Sequence, residues 1–142
     1  MKLEHTQQVA NYRVMTQQFV LPCAAEPLPQ QVIYLPPPNI LPSPFPTYET
    51  LVVSGVEAEI AMASPMTAGD WVNLSVSYEG HGAIFVSHQV SFDDQLNPTI
   101  KFPHIGGQGF VGLQGKRVHF AFAVERNFEL VAVSDSFDVT LL

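Results

Sequence analysis

The sequence has little charge, few cations and one cysteine. Only 13% of its 142 residues are charged, about half the usual share. A soluble chain this poor in charge often covers some of its surface with another chain. Six Lys and Arg stand against thirteen Asp and Glu, a net charge of −7. Nucleic-acid binding needs clustered cations to displace condensed counterions. The one adjacent basic pair, Lys116–Arg117, reads as a solvated strand start. The same sign argument disfavours an anionic membrane surface. Cys23 is alone, so no intrachain disulfide forms. It follows Val20-Leu21-Pro22, but Pro22 and the missing apolar run argue against a lipoprotein cleavage box. No apolar stretch approaches the roughly 18 residues of a membrane span. The chain is therefore expected not to span a membrane. Met1-Lys2-Leu3-Glu4-His5 does not open an ordinary signal peptide.

Apolar residues reach 46%, enough for a real core, and they fall into two regions that divide near residue 48. Between Pro22 and Pro46 lie nine of the twelve prolines, including Pro36-Pro37-Pro38. Proline fixes φ and donates no hydrogen bond, so extended chain is expected there rather than helix or central strand. Tyr34, Leu35, Ile40 and Phe45 are apolar residues of this arm that need a surface to lie on. The arm is either a spacer or an extended segment packed along its own domain or a neighbour. Before it, residues 6–21 place Val9, Tyr12 and Phe19 at helical spacing. They also alternate Tyr12, Val14 and Thr16, and the β-branched content favours a strand.

Beyond residue 50 the hydrophobic period is two. Val56, Ala58, Ile60 and Met62 alternate with polar and small residues, as do Val72, Leu74, Val76 and Tyr78. Ile84, Val86, His88, Val90 and Phe92 share a face, and Val118, Phe120, Phe122 and Val124 mark the clearest core strand. Thr99–Phe102 reads as a short strand stopped by Pro103, and Phe137, Val139 and Leu141 as the inward side of the last strand. Turn signals at 67–70, 79–82, 93–98 and 127–129 separate the runs. About seven short strands with no helical period between them indicate an antiparallel β-sandwich. Val72, Leu74, Val76, Phe120, Phe122, Val124, Phe137 and Val139 are its expected core.

Chemical signatures are weak. His5, His81, His88, His104 and His119 have neither the spacing nor the Cys support of a zinc site. Asp93, Asp94 and Asn97 lack the regular ligand spacing of a calcium loop. There is no Gly-x-Ser-x-Gly elbow, and Cys23 lies in the arm. Asp70, Glu79, Asp93 and Asp94 are candidates for a facing carboxylate pair, though acids at strand ends are ordinary. Gly106-Gly107-Gln108-Gly109 lacks the Lys-Ser/Thr pair and following helix of a phosphate loop, and its glycines are expected to permit positive φ. No cofactor, metal or catalytic residue is expected. Trp71 and Phe85 fall on the outward side of their strands. There they either stack on a sugar or protein partner or pack beneath the arm.

The stretch Ser64-Pro65-Met66-Thr67-Ala68-Gly69-Asp70-Trp71-Val72-Asn73-Leu74-Ser75-Val76-Ser77-Tyr78-Glu79-Gly80 resembles a segment of bacterial immunoglobulin-like repeats. Those repeats open a strand with a G-M-x-A-G-D-x-V-x-L-x-W-x-G pattern. Gly115–Arg126, followed by Ser134 and Phe137–Leu142, is similar to their closing half. The resemblance covers about residues 50–142. Tyr78 stands where the repeats carry Trp, and one copy behind a proline-rich arm replaces their tandem array. It implies an all-β, immunoglobulin-like antiparallel sandwich at 49–142 behind an arm at 1–48 that is proline-rich from 22 to 46. It also implies a non-catalytic module on a bacterial cell surface or outside the cell. Low charge and the apolar arm point to a structural homo-oligomer or filament that assembles through the arm. The alternatives are an adhesion domain binding glycan or protein as a monomer, and a small enzyme. Trp71, Phe85, Tyr34, Leu35, Ile40 and Phe45 are the candidate partner-binding residues. The partners would be other copies, another surface protein or glycan, not nucleic acid.

Overall fold

The computed structural model describes residues 32–63 and 66–142. The expected strand at 12–16, Cys23 and the first 31 residues of the arm lie outside the described residues, as do Ser64 and Pro65. The chain is mostly β, arranged in two sheets. Its elements are β1 (Ile33–Leu35), β2 (Asn39–Leu41), α1 (Tyr48–Ser54), β3 (Val56–Ala61), β4 (Trp71–Tyr78), β5 (His81–Gln89), η1 (Asp94–Leu96), β6 (Thr99–Ile105), η2 (Gly107–Phe110), β7 (Arg117–Arg126), β8 (Glu129–Ser134) and β9 (Phe137–Thr140).

One sheet has the order β1-β8-β7-β4-β5, with β9 also paired to β7; the other is β2-β3-β6. β8 lies along residues 123–126 of β7 and β9 along residues 117–120, so together they fill one strand position. All pairings are antiparallel except β1 with β8. Apolar residues from both sheets form one continuous core. Val72, Leu74 and Val76 of β4 and Val118, Phe120, Phe122 and Val124 of β7 point into it, because side chains alternate faces along a strand. Phe137 and Val139 are half-buried and pack against it. Phe120 sits among three rings, Phe45, Phe110 and Phe137, at centroid distances of 6.0–6.1 Å.

The segment expected to be an arm enters the fold from residue 33 onwards. β1 adds to the edge of the larger sheet and β2 to the edge of the smaller one. Both are edge strands of three residues, which is where proline-rich chain is tolerated. The cis bonds Leu41–Pro42 and Ser43–Pro44 follow, and Phe45 then packs on Phe120 and Phe137.

Five further features differ from the sequence reading. α1 is a helix between strands, closed by Gly55 at φ 68° and ψ −167° and anchored by the buried Leu51. β6 continues through Pro103 to Ile105, because β6 is an edge strand and a bulge opposite β3 absorbs the missing donor. β8 is a strand where only a turn was read. Phe92 is exposed rather than inward, because β5 ends at Gln89. The glycines at 106, 107 and 109 do not adopt positive φ. Gly107 instead allows close approach of α1, since a Cβ there would collide with the carbonyl oxygen of Val52.

Candidate functional site

The side of the larger sheet that faces away from the core carries most of the residues with binding character. Trp71, Asn73, Ser75 and Ser77 of β4 point there, opposite in parity to the core residues Val72, Leu74 and Val76. Across the sheet, Ser75 is flanked by Phe85 and Ala121, Asn73 by Ser87 and Ala123, and Trp71 by Gln89 and Glu125. Short polar bonds tie the rows. Ser87 Oγ donates to Asn73 Oδ1 at 2.7 Å, and Asn73 Nδ2 donates to Glu125 Oε2 at 3.2 Å. At one side Ala123, Leu130 and Val133 form a small second apolar group, with Val32 and Phe85 against it.

Three of the six candidate residues share this face. Trp71, Phe85 and Tyr34 all point outward, with Trp71 and Tyr34 exposed at 44% and 45% and Phe85 half-buried. Tyr34 Oη donates a hydrogen bond to Asp135 Oδ1. That bond, with partial desolvation and the charge of Asp135, raises the phenol above its usual range. The other three turn inward. Leu35 and Ile40 belong to the core at 7% and 4% exposure, and Phe45 stacks on Phe120 and Phe137. They are corrected from partner contacts to packing residues, because β1 and β2 join the sheets and each turns one apolar side chain inward.

A second exposed group lies at the end of the sandwich near Trp71. There the 66–70 loop, the 90–98 loop and the 127–128 turn are bound together. Arg126 Nε and a terminal guanidinium nitrogen donate to Asp70 Oδ1 and Oδ2, both at 2.8 Å. Thr67 N donates to Asp70 Oδ2, and Gly69 N and Val90 N link the first two loops. Burial raises the Asp70 carboxyl, but the Arg126 and Thr67 hydrogen bonds outweigh it and hold the group below the ordinary carboxylate range. The bond to Asp70 in turn raises Arg126. On this scaffold Phe92, Leu96 and Phe128 are strongly exposed. Asn127 and Phe128 both have positive φ, 52° and 65°, as a two-residue hairpin turn of the primed type requires. A bulky aromatic is poorly suited to that conformation, and Phe128 buries little in return.

The titratable clusters are pairs rather than catalytic constellations. His88 Nε2 meets Asp94 Oδ2 at 2.7 Å, and Ser91 N donates to the same oxygen. The Ser91 bond first, then His88, lowers the Asp94 carboxyl. His119 Nδ1 meets Asp138 Oδ1 at 2.7 Å, with Arg117 3.8 Å from the other oxygen. His119 and Asp138 stand beside Ser77 in register, on the outward face of the larger sheet. Ser136 Oγ and Asp138 Oδ2 are buried without a hydrogen-bond partner. Among the described residues no group of three or more His, Cys, Asp or Glu is placed to hold a metal ion. No described helix is long and apolar enough to cross a membrane.

The sequence pointed to Trp71 and Phe85 through strand parity. It did not reveal Arg126–Asp70 or His119–Asp138, whose partners come from different strands. Nor did it single out Phe128, although an aromatic beside Asn127 in a two-residue turn is itself a signal. No protein-family model, curated protein or solved structure matches this chain.

Proposed function

We propose that this chain is a non-catalytic structural module with an immunoglobulin-like sandwich, belonging to a bacterial surface or extracellular structure, whose copies join through the N-terminal arm. The observation that carries the reading is the placement of β1 and β2. The arm supplies one edge strand to each sheet, through only three residue pairs each. Edge addition uses main-chain hydrogen bonds that any copy of the same chain can make equally well, so it lends itself to exchange between copies. The strand order supports the immunoglobulin-like part: three strands oppose a larger sheet, and the first strands are divided between the two. Analytical ultracentrifugation of the full chain over a wide concentration range tests the assembly. Dimers and longer species should grow with concentration, and a monomer at the highest concentration would overturn it.

A second reading, adhesion by a monomer, is favoured by the exposed rings of Trp71, Phe92 and Phe128 at one end. Such rings stack on sugars or anchor proteins. A glycan array probed with the native chain and with Trp71→Ala distinguishes it, since the signal should vanish in the variant.

A further inference from the structure

Among the described phenylalanines only Phe92 and Phe128 are exposed, and both stand at the end of the sandwich where β4 begins. Leu96 joins them on the 90–98 loop. The three are 80%, 81% and 84% exposed in the order Phe92, Phe128, Leu96. Single exposed apolar residues are ordinary, but three on loops tied to one scaffold make a surface. Gln89 and Glu125 flank Trp71 across the sheet, so the strands leading to Phe92 and Phe128 stand two strand spacings apart, about 10 Å. About three residues of extended chain bridge that distance.

Phe128 is held in place against its preference. Its φ of 65° suits Gly or Asn rather than an aromatic residue. Arg126 pairs with Glu129 at the base of the turn and is itself tied to Asp70 by two 2.8 Å bonds. A disfavoured backbone held by its surroundings points to use of the side chain it presents.

A carboxylate follows each ring in sequence, Asp93 after Phe92 and Glu129 after Phe128. Both are exposed, and neither forms an ion pair among the described residues. The described cations are engaged or distant. Arg126 is bound to Asp70, Lys101 stands opposite Glu59 in the smaller sheet, and Lys116 and Arg117 open β7 at the other end of the sandwich. A Lys or Arg arriving here meets a carboxylate and the face of the adjacent ring, and both attract it. Another copy fits poorly, since every copy carries −7. A bilayer also fits poorly, because segments that insert aromatic residues at an interface carry Lys and Arg beside them rather than acids.

We propose that Phe92, Leu96 and Phe128, with Asp93 and Glu129 between them, bind a basic polypeptide segment in which Lys or Arg alternates with apolar residues. The partner so defined narrows the adhesive reading, on which it rests, to a protein of opposite charge.

Fluorescence anisotropy of the full chain with three labelled peptides tests this. One alternates Arg and Lys with Leu and Phe, one carries Asp and Glu in the cationic places, and one carries Gln and Asn there. The basic peptide should bind at least about tenfold more tightly than the others, and less tightly as salt rises from about 0.1 M to about 1 M. Phe92→Ser should weaken it about tenfold. Asp93→Asn combined with Glu129→Gln should weaken it about fivefold and flatten the salt dependence. These positions are exposed, so melts of the variants should match the native chain. Glu57→Gln combined with Glu59→Gln, which removes the same charge from the outer side of the smaller sheet, should change little.

An equal loss in that control reports attraction to the overall charge and overturns the proposal. Equal binding of the three peptides does so too. If no peptide binds but a glycan-array signal vanishes in Phe92→Ser, the basic partner is wrong and the adhesive reading stands. Binding to phosphatidylcholine vesicles that Phe92→Ser abolishes, without peptide preference, overturns the proposal in favour of a lipid surface. No binding to peptides, glycans or vesicles removes the adhesive reading as well.

Discussion

Arg126 reaches from the end of β7 to Asp70 at the mouth of β4, with two nitrogens 2.8 Å from the two carboxylate oxygens. The carboxylate is almost fully buried, while the guanidinium side chain is 41% exposed. The same carboxylate accepts Thr67 N, closing the turn before β4. One side chain therefore fixes a turn and ties two strands that are 56 residues apart.

Replacing Asp70 with Asn should cost about 2 kcal/mol. Loss of one partner of a fully buried pair costs about 3–5 kcal/mol, and water reaching Arg126 reduces that. The pH dependence has a definite sign. Asp70 is held below its ordinary value in the folded chain, so it contributes stability above the unfolded value of about 3.9. That contribution is lost as pH falls through the lowered folded value. Urea midpoints of the native chain and Asp70→Asn, compared from pH 7 downwards, should converge in acid. A gap that stays constant to pH 2 would contradict the assignment.

Phe45 tests whether the proline-rich stretch belongs to the sandwich. Its ring lies 6.0 Å from Phe120 and 6.2 Å from Phe137, half-buried at the edge of the core. Fully buried Phe→Ala changes cost about 3–5 kcal/mol. Phe45→Ala should therefore cost about 2–3 kcal/mol in a denaturant titration. A change under about 0.5 kcal/mol, ordinary for an exposed site, would mean that this stretch is only tethered to the domain.

The sequence made β4 and β7 readable because each buries one side chain in two. It hid β8 for the opposite reason. Leu130 and Val133 face the small outward group while Ala132 faces the core, so the strand is apolar on both sides and shows no alternation. β1 and β2 were hidden by the prolines around them, and three residues are too few to display a period. Trp71 was legible as outward from Val72, Leu74 and Val76. The inward turn of Leu35 and Ile40 was not, because it depends on pairing with β8 and β3. The Asp70 and Asp138 pairs depend on register across strands, which a single chain of letters does not display.

Gly55 closes α1 at φ 68° and ψ −167°, a region open essentially to glycine alone. A Cβ at this position would lie 2.5 Å from the carbonyl oxygen of Ile105. Gly55→Ala combines backbone strain of about 1–3 kcal/mol with that collision, so the variant should be among the most damaging single changes. Circular dichroism melts should show a fall of more than 5 °C, at about 4 °C per kcal/mol for a chain of this size. Gly69→Ala is the control: its φ is also positive, but its Cβ would meet nothing within 4 Å. It should therefore lose less.

Phe128 offers a change in the other direction. It occupies the second position of a two-residue turn at φ 65° and is 81% exposed. Glycine suits that conformation without penalty, and Asn127 before it already does. Phe128→Gly should stabilise the chain by about 0.5–1 kcal/mol, less whatever unfolded-state entropy glycine adds. If the exposed rings at this end serve a partner, the same variant should bind it more weakly. A variant that is both more stable and less adhesive would separate folding from function at this position. One that is merely destabilised would show that the ring packs in the folded chain.

Trp71 and Val72 are adjacent in sequence and opposite in consequence. Val72 is wholly buried between the sheets, and Trp71 stands on the outward rim. Val72→Ala removes two buried methyl groups and should cost about 2 kcal/mol, counting transfer and residual cavity. Trp71→Ala removes a far larger side chain and should cost less, about 1 kcal/mol, because nearly half of the ring already meets water. An order reversed in denaturant titrations would place the tryptophan among packing residues. It would also withdraw its ring from the adhesive reading, in which an accessible face is the whole of its value.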